Sequence, residues 1–158
     1  MLETLLIIGD SLSASPESWP TYLPPTYHVQ LLVQGGRRIS EYSPPRDIRG
    51  HHKLVYFLGA GDILHLSNAR DTKRYIQDQL EYLAGRGYEI TVVTPPIFNL
   101  QKFDEVNREH RQMINRLPNV NHCDMQWIWD STMTHDGIHP TPKLSAVIAE
   151  TIQGCLEE

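Results

Sequence analysis

Two short runs at opposite ends of the chain hold residue types that do acyl chemistry. Near the start, Gly9-Asp10-Ser11-Leu12-Ser13 places a hydroxyl directly after the apolar run Leu5 to Ile8. A serine hydroxyl is a weak nucleophile and needs a base to take its proton. Near the other end, Asp136-Gly137-Ile138-His139 supplies an imidazole with a carboxylate three residues earlier. That spacing lets both side chains leave a turn in the same direction, so Asp136 can hold one ring nitrogen while the other faces Ser11. Ser11, His139 and Asp136 are therefore the expected nucleophile, base and orienting acid. Taken singly, each run has a plainer reading, since a Gly-Asp-Ser turn also serves to satisfy backbone N–H groups. Their joint placement, one after a first strand and one before a final helix, carries the catalytic reading.

Other clusters compete less well. His135 and His139 stand four apart, and His122-Cys123-Asp124 groups three ligand types, but neither run has a convincing third and fourth ligand. No metal and no cofactor is expected. Arg37-Arg38 offers a hold on an anionic group, with solvated surface as the competing reading, and His51-His52 reads as an exposed loop.

The elements that must position these residues alternate in kind. Leu5 to Ile8, Tyr27 to Val33, Leu54 to Leu58 and Ile90 to Val93 read as strands, with a weaker one at Asn119 to Cys123. Their continuous apolar runs suit strands covered on both faces. Between them, Ile76, Leu80 and Leu83 form the inward stripe of a helix over 70–84 stopped by Gly85. A second helix spans Phe103 to Leu117, stopped by Pro118, and a last one starts near Thr141 with Pro142 in its first turn. Such alternation gives a parallel sheet with helices on both sides, an α/β class of fold. The loops that begin at Gly9, Gly35, Gly59 and Thr94 then share the carboxyl edge, where ligands bind.

Composition bounds the rest. The chain has 158 residues, 40% of them apolar, which suits one domain over 1–158. No apolar stretch approaches the ~20 residues of a membrane span, so no stable membrane insertion is expected. With 14 Lys and Arg against 19 Asp and Glu, the net charge of −5 argues against a nucleic-acid partner. The 2 cysteines exclude a dense disulfide framework. Met1 leads straight into the first strand without the regions of a secretory leader, so a cytoplasmic protein is expected; a mature secreted chain behind a new Met would read the same.

The run Leu5 to Ser13 and the terminal Asp136-Gly137-Ile138-His139-Pro140 resemble the first and last signature blocks of the SGNH, or GDSL-type, esterase and lipase family. The likeness is closest to its small bacterial thioesterase and lysophospholipase branch, and Trp19-Pro20 adds to it. The resemblance implies a three-layer α/β/α sandwich, flavodoxin-like, with about five parallel strands. It also implies ester or thioester hydrolysis through an acyl-enzyme on Ser11. The oxyanion hole would use the Ser11 N–H, the N–H of a second-block glycine and an asparagine side chain in a Gly-x-Asn-Asp third block. Gly36 is the best match for the second-block glycine, with Gly35 the alternative.

The third block departs from the pattern. It reads Gly59-Ala60-Gly61-Asp62, with Gly61 where the asparagine should stand. A lost donor of this kind lowers kcat by ~10²–10³. The Gly61 N–H could take over, Asn99 or Asn68 could reach in, or the domain could have lost hydrolysis and kept an acyl- or carbohydrate-binding pocket. Partial compensation predicts that Gly61→Asn raises turnover. The loop after the fourth strand is where the family places part of its acyl pocket, which makes Phe98, Asn99 and Leu100 the candidate substrate-binding residues, with core packing the competing reading. The expected partner is a small ester or thioester with a short or medium acyl chain, lysophospholipid-like or acetylated.

Overall fold

A computed structural model describes residues 3–44, 53–98, 100–125 and 128–157. Leu5, Leu6, Ile7 and Ile8 are each 0% exposed in strand β1 (Glu3–Gly9), as a strand covered on both faces must be. Around it lie β2 (Tyr27–Val33), β3 (Lys53–Phe57), β4 (Glu89–Thr94) and β5 (Asn121–Asp124) in the order β2-β1-β3-β4-β5. Every pairing is parallel. The five-stranded α/β/α expectation holds.

The twofold period of the strands sorts the apolar side chains into two cores. On one face Leu5, Ile7, Val55, Phe57 and Val93 meet Leu144, Ile148 and Ile152 of α5 (Pro142–Leu156). On the other, Leu6, Ile8, Leu54, Tyr56 and Val92 meet Ile76, Leu80 and Leu83 of α3 (Ala69–Gly85) and Ile114 of α4 (Asp104–Asn115). Two short helices, α1 (Ser11–Ala14) and α2 (Ala60–Leu64), start at the carboxyl ends of β1 and β3.

Several local expectations need correction. β2 is an edge strand and its run is only partly covered, with Leu31 47% exposed. Gly85 is the last residue of α3 rather than its stop; the chain turns away through Gly87 at φ 91°, a conformation glycine adopts without strain. Residues 101–103 form a 3₁₀ turn, and α4 begins at Asp104. The two cysteines are joined, Cys123 of β5 to Cys155 of α5, with Cα atoms 5.8 Å apart. No helix among the described residues is long and apolar enough to cross a membrane.

Candidate active site

The strand order reverses at β1, whose neighbours β2 and β3 leave in opposite directions, so a crevice opens at its carboxyl end. Ser11 is the first residue there. Asp10 caps α1 by accepting the Leu12 N–H at 3.1 Å. Gly9 permits the tight start of α1, because a Cβ at that position would stand 2.7 Å from Ser13 Oγ. Ser13 in turn accepts the Trp19 indole N–H at 2.8 Å, which docks Trp19 in the core beside Phe57.

The expected base comes from the far end of the sequence. Thr134 and Pro140 form an antiparallel bridge, and the His135 N–H donates to the His139 carbonyl at 2.9 Å, so residues 134–140 make a closed loop before α5. Gly137 turns it at φ 87°, and Leu100 packs beneath, 3.9 Å from where a Gly137 Cβ would lie. Asp136 Oδ1 accepts the N–H groups of Ile138 at 2.9 Å and His139 at 2.7 Å. Its other oxygen lies 2.6 Å from His139 Nδ1. A carboxylate only accepts, so Nδ1 carries the proton and Nε2 of the neutral ring is left as a base. Burial pushes the Asp136 carboxyl up, but the hydrogen bonds from His139 and Ile138 outweigh it and hold the group at about 2.

Asp136 and His139 are thus in contact, while Ser11 Oγ makes no hydrogen bond to His139. Catalytic hydrogen bonds commonly tighten only when substrate binds. A separate contact ties the two ends of the chain together: His135 Nε2 lies 2.8 Å from Glu17 Oε2, across 118 residues. Glu17 follows α1 and His135 precedes Asp136, so the pair draws the base loop against the serine segment. Nothing in a sequence signals such a contact.

Gly35 sits beside the serine. The Gln34 N–H donates to the Gly9 carbonyl at 3.2 Å, and a Cβ on Gly35 would lie 3.9 Å from Ser11 Cβ. Gly36 adopts φ 71°, with open space around it.

Gly61 behaves differently from the expectation. A Cβ on it would stand 2.2 Å from the Arg37 carbonyl oxygen, so the backbone of the neighbouring loop occupies the space of an asparagine side chain. Its N–H, with that of Ala60, helps to hold down the pKa of the Asp10 carboxyl. The expectation that Gly61→Asn restores a donor fails on this overlap. Asn68 is committed as the cap of α3, accepting the N–H groups of Arg70 and Asp71 at 2.9 and 3.3 Å. Asn99 lies outside the described residues, as do His51 and His52.

Two buried acids at the carboxyl ends of β1 and β3 were not anticipated. Asp10 is 0% exposed, and burial pushes it up to about 7; the N–H groups of Leu12, Gly61 and Ala60 oppose that, and the nearby Asp62 adds to it. Asp62 is raised to about 6 by burial although it accepts the Ile39 N–H at 3.0 Å. Their signal was in the sequence, an acid closely following a glycine at each strand end, but only the packing shows that both are enclosed.

Phe98 is corrected from a substrate-binding to a core residue: it is 0% exposed and stacks edge-on against Trp129 at 5.8 Å. Leu100 is half-buried under the base loop. Of the remaining candidates, His122 Nε2 contacts the Leu117 carbonyl at 3.0 Å and Cys123 is in the disulfide. Arg37 stacks on Tyr42 at 4.7 Å, and Arg38 pairs with Glu41 at 2.9 Å. Four cavities of about 420–590 Å³ flank α3 and α4, and none is lined by Ser11, Asp136 or His139.

The whole architecture is shared with solved lipolytic enzymes. An acetyl xylan esterase superposes with a TM-score of 0.81 at 14% identity, over 97% of this chain and 99% of its own. The psychrotrophic esterase EstA from Pseudoalteromonas sp. gives 0.75 at 16% identity, over 98% of this chain and 97% of its own. A member of the lipolytic G-D-S-L family from Veillonella parvula gives 0.77 at 14%, over 96% and 97%. No protein-family model matches the chain, and no curated protein matches it in sequence. At these identities the likeness is one of fold: the chain has the α/β/α fold of the G-D-S-L esterases, in line with the resemblance of its two end motifs.

Proposed function

We propose that this protein hydrolyses carboxylic esters through an acyl-enzyme on Ser11. The observation that carries the reading is the Asp136–His139 pair at 2.6 Å, with Nε2 free, on a loop tied through His135 and Glu17 to the segment that follows Ser11 and α1. Ser11 Oγ attacks the ester carbonyl while His139 Nε2 takes its proton, and Asp136 stabilises the imidazolium. His139 then protonates the leaving alcohol. Water, deprotonated by the same nitrogen, attacks the acyl carbon and frees Ser11 and the acid. The Ser11 and Gly36 N–H groups hold the oxyanion; Gly61 is left out, because the Arg37 carbonyl packs against it where the asparagine side chain would stand.

The acyl group is proposed to be short, acetyl before longer chains, thioesters included. Phe98 is withdrawn into the core, which removes the main apolar wall expected for a longer chain. A second reading, binding without turnover, is favoured by the Arg37 carbonyl, an acceptor, filling the place of a donor.

A fluorophosphonate probe separates the two. Labelling at Ser11, abolished by Ser11→Ala, with nitrophenyl acetate cleaved faster than nitrophenyl octanoate, supports the short-acyl hydrolase. Ser11→Ala should lower kcat by ~10⁴ or more. A folded protein that takes no label and cleaves no ester overturns the reading in favour of a binding domain.

A further inference from the structure

In the hydrolase reading the oxyanion hole depends on where the backbone of residues 35–38 lies, and three contacts fix that loop from below. The Arg37 carbonyl seats against Gly61 of α2 so closely that a Cβ would stand 2.2 Å from its oxygen and 2.8 Å from its carbon. One residue on, the Asp62 carboxylate accepts the Ile39 N–H at 3.0 and 3.3 Å. From α3, Gln79 Nε2 donates to the Ile39 and Tyr42 carbonyls at 2.8 and 3.1 Å, and Tyr56 Oη donates to its other end at 2.5 Å. Gly61, Asp62, Ile39, Gln79 and Tyr56 are all buried. Above this seat, the Gly35–Gly36 turn is exposed except where it meets Ser11.

We infer that Gly61 and Asp62 are positioning residues for the oxyanion donor on Gly36. This inference rests on the hydrolase reading of the site. Gly61 acts by having no side chain, which lets the loop descend to the level of Ser11, and Asp62 acts by pinning the residue where the loop re-enters the core. The substitution of asparagine by glycine in the third block is then not a bare loss. It exchanges a side-chain donor for a backbone seat, and the hole is built from two main-chain N–H groups.

The seat is tested with Gly61→Ala, Asp62→Ala and Asp62→Asn. Gly61→Ala must push the Arg37 carbonyl away, and Asp62→Ala frees Ile39, whereas Asp62→Asn still offers an oxygen to that N–H. The two alanine variants should lose roughly tenfold to a hundredfold in kcat with KM within about twofold, as a misplaced donor does, and Asp62→Asn should retain most of kcat. If Gly61→Ala does not fold, the Asp62 pair decides. The ¹⁵N amide shifts of Gly35 and Gly36 read the loop without any substrate: they should move in the alanine variants and stay near wild type in Asp62→Asn. Folded alanine variants with wild-type kcat and unmoved glycine amides overturn the seat, even in an active enzyme. Moved amides in the alanine variants, with a wild-type chain that takes no fluorophosphonate, would keep the seat and reject the hydrolase.

Discussion

Gly61 illustrates how much a single residue can mislead when read without its neighbours. In the sequence it is an empty place where a donor belongs, and restoring asparagine looks like a repair. In the fold that place is filled by the Arg37 carbonyl, so any side chain at 61 forces the loop or the helix to move. Overpacking of this kind costs ~1–3 kcal/mol. Gly61→Asn should therefore lower the denaturant midpoint and leave ester turnover no higher than wild type; a folded Gly61→Asn variant with raised turnover would show that the loop yields and the amide reaches the hole. At the same scale, Asp136 and His139 were recognisable from their types and spacing because their contact is local. The turn that brings Oδ2 to Nδ1 spans three residues and needs only Gly137 at positive φ.

Elements bring distant residues to one edge, and here the decisive ones are β1, α2 and α5. β1 ends in a glycine and a capping aspartate, which launches α1 and presents Ser11. α5 begins three residues after His139, at Pro142, so its docking on the first core sets the height of the base loop. The far end of α5 is fixed covalently to β5 through Cys123 and Cys155, which enclose a sequence separation of 32. Cross-linking a loop of that length restricts the unfolded chain by ~3–4 kcal/mol. Reduction, or Cys155→Ser, should lower unfolding free energy by about that much while leaving esterase kcat within about twofold, since the disulfide lies at the end of α5 away from His139. An unchanged midpoint under reductant would show that the thiols are free in solution.

Across the whole molecule, the buried acids make stability depend on pH in opposite directions. Asp62 is raised to about 6 and Asp10 to about 7, so the native state holds these protons more tightly than the unfolded chain, whose carboxyls titrate near ~4. Their contribution is fully present below pH ~4 and is lost as pH rises through 4–7. Asp136, held at about 2, works the other way: its contribution is present above ~4 and lost as pH falls toward 2. Asp62→Asn removes the titrating group and keeps the acceptor. Relative to wild type it should gain on the order of 2 kcal/mol of stability between pH 4 and 7, measured by urea unfolding. A gap between variant and wild type that does not change over that range would mean Asp62 is ionised with an ordinary pKa. Carboxyl ¹³C titration of Asp10 should show a midpoint near 7.

The sequence by itself determined the parallel sheet and supplied the residues proposed to react. Continuous apolar runs ending in glycine or proline have few alternatives to covered strands, and the Asp136–His139 contact closes within one turn. It carried no information on contacts whose partners are far apart in the chain, because such pairs leave no local pattern. The tertiary structure alone decided that Glu17 meets His135, that Cys123 meets Cys155, that Phe98 belongs to the core and not to an acyl pocket, and that Asp10 and Asp62 are enclosed. It also decided the meaning of Gly61. Whether a glycine is a missing side chain or a required space depends on what packs against its Cα, and here that is a carbonyl from a loop more than twenty residues earlier in the chain.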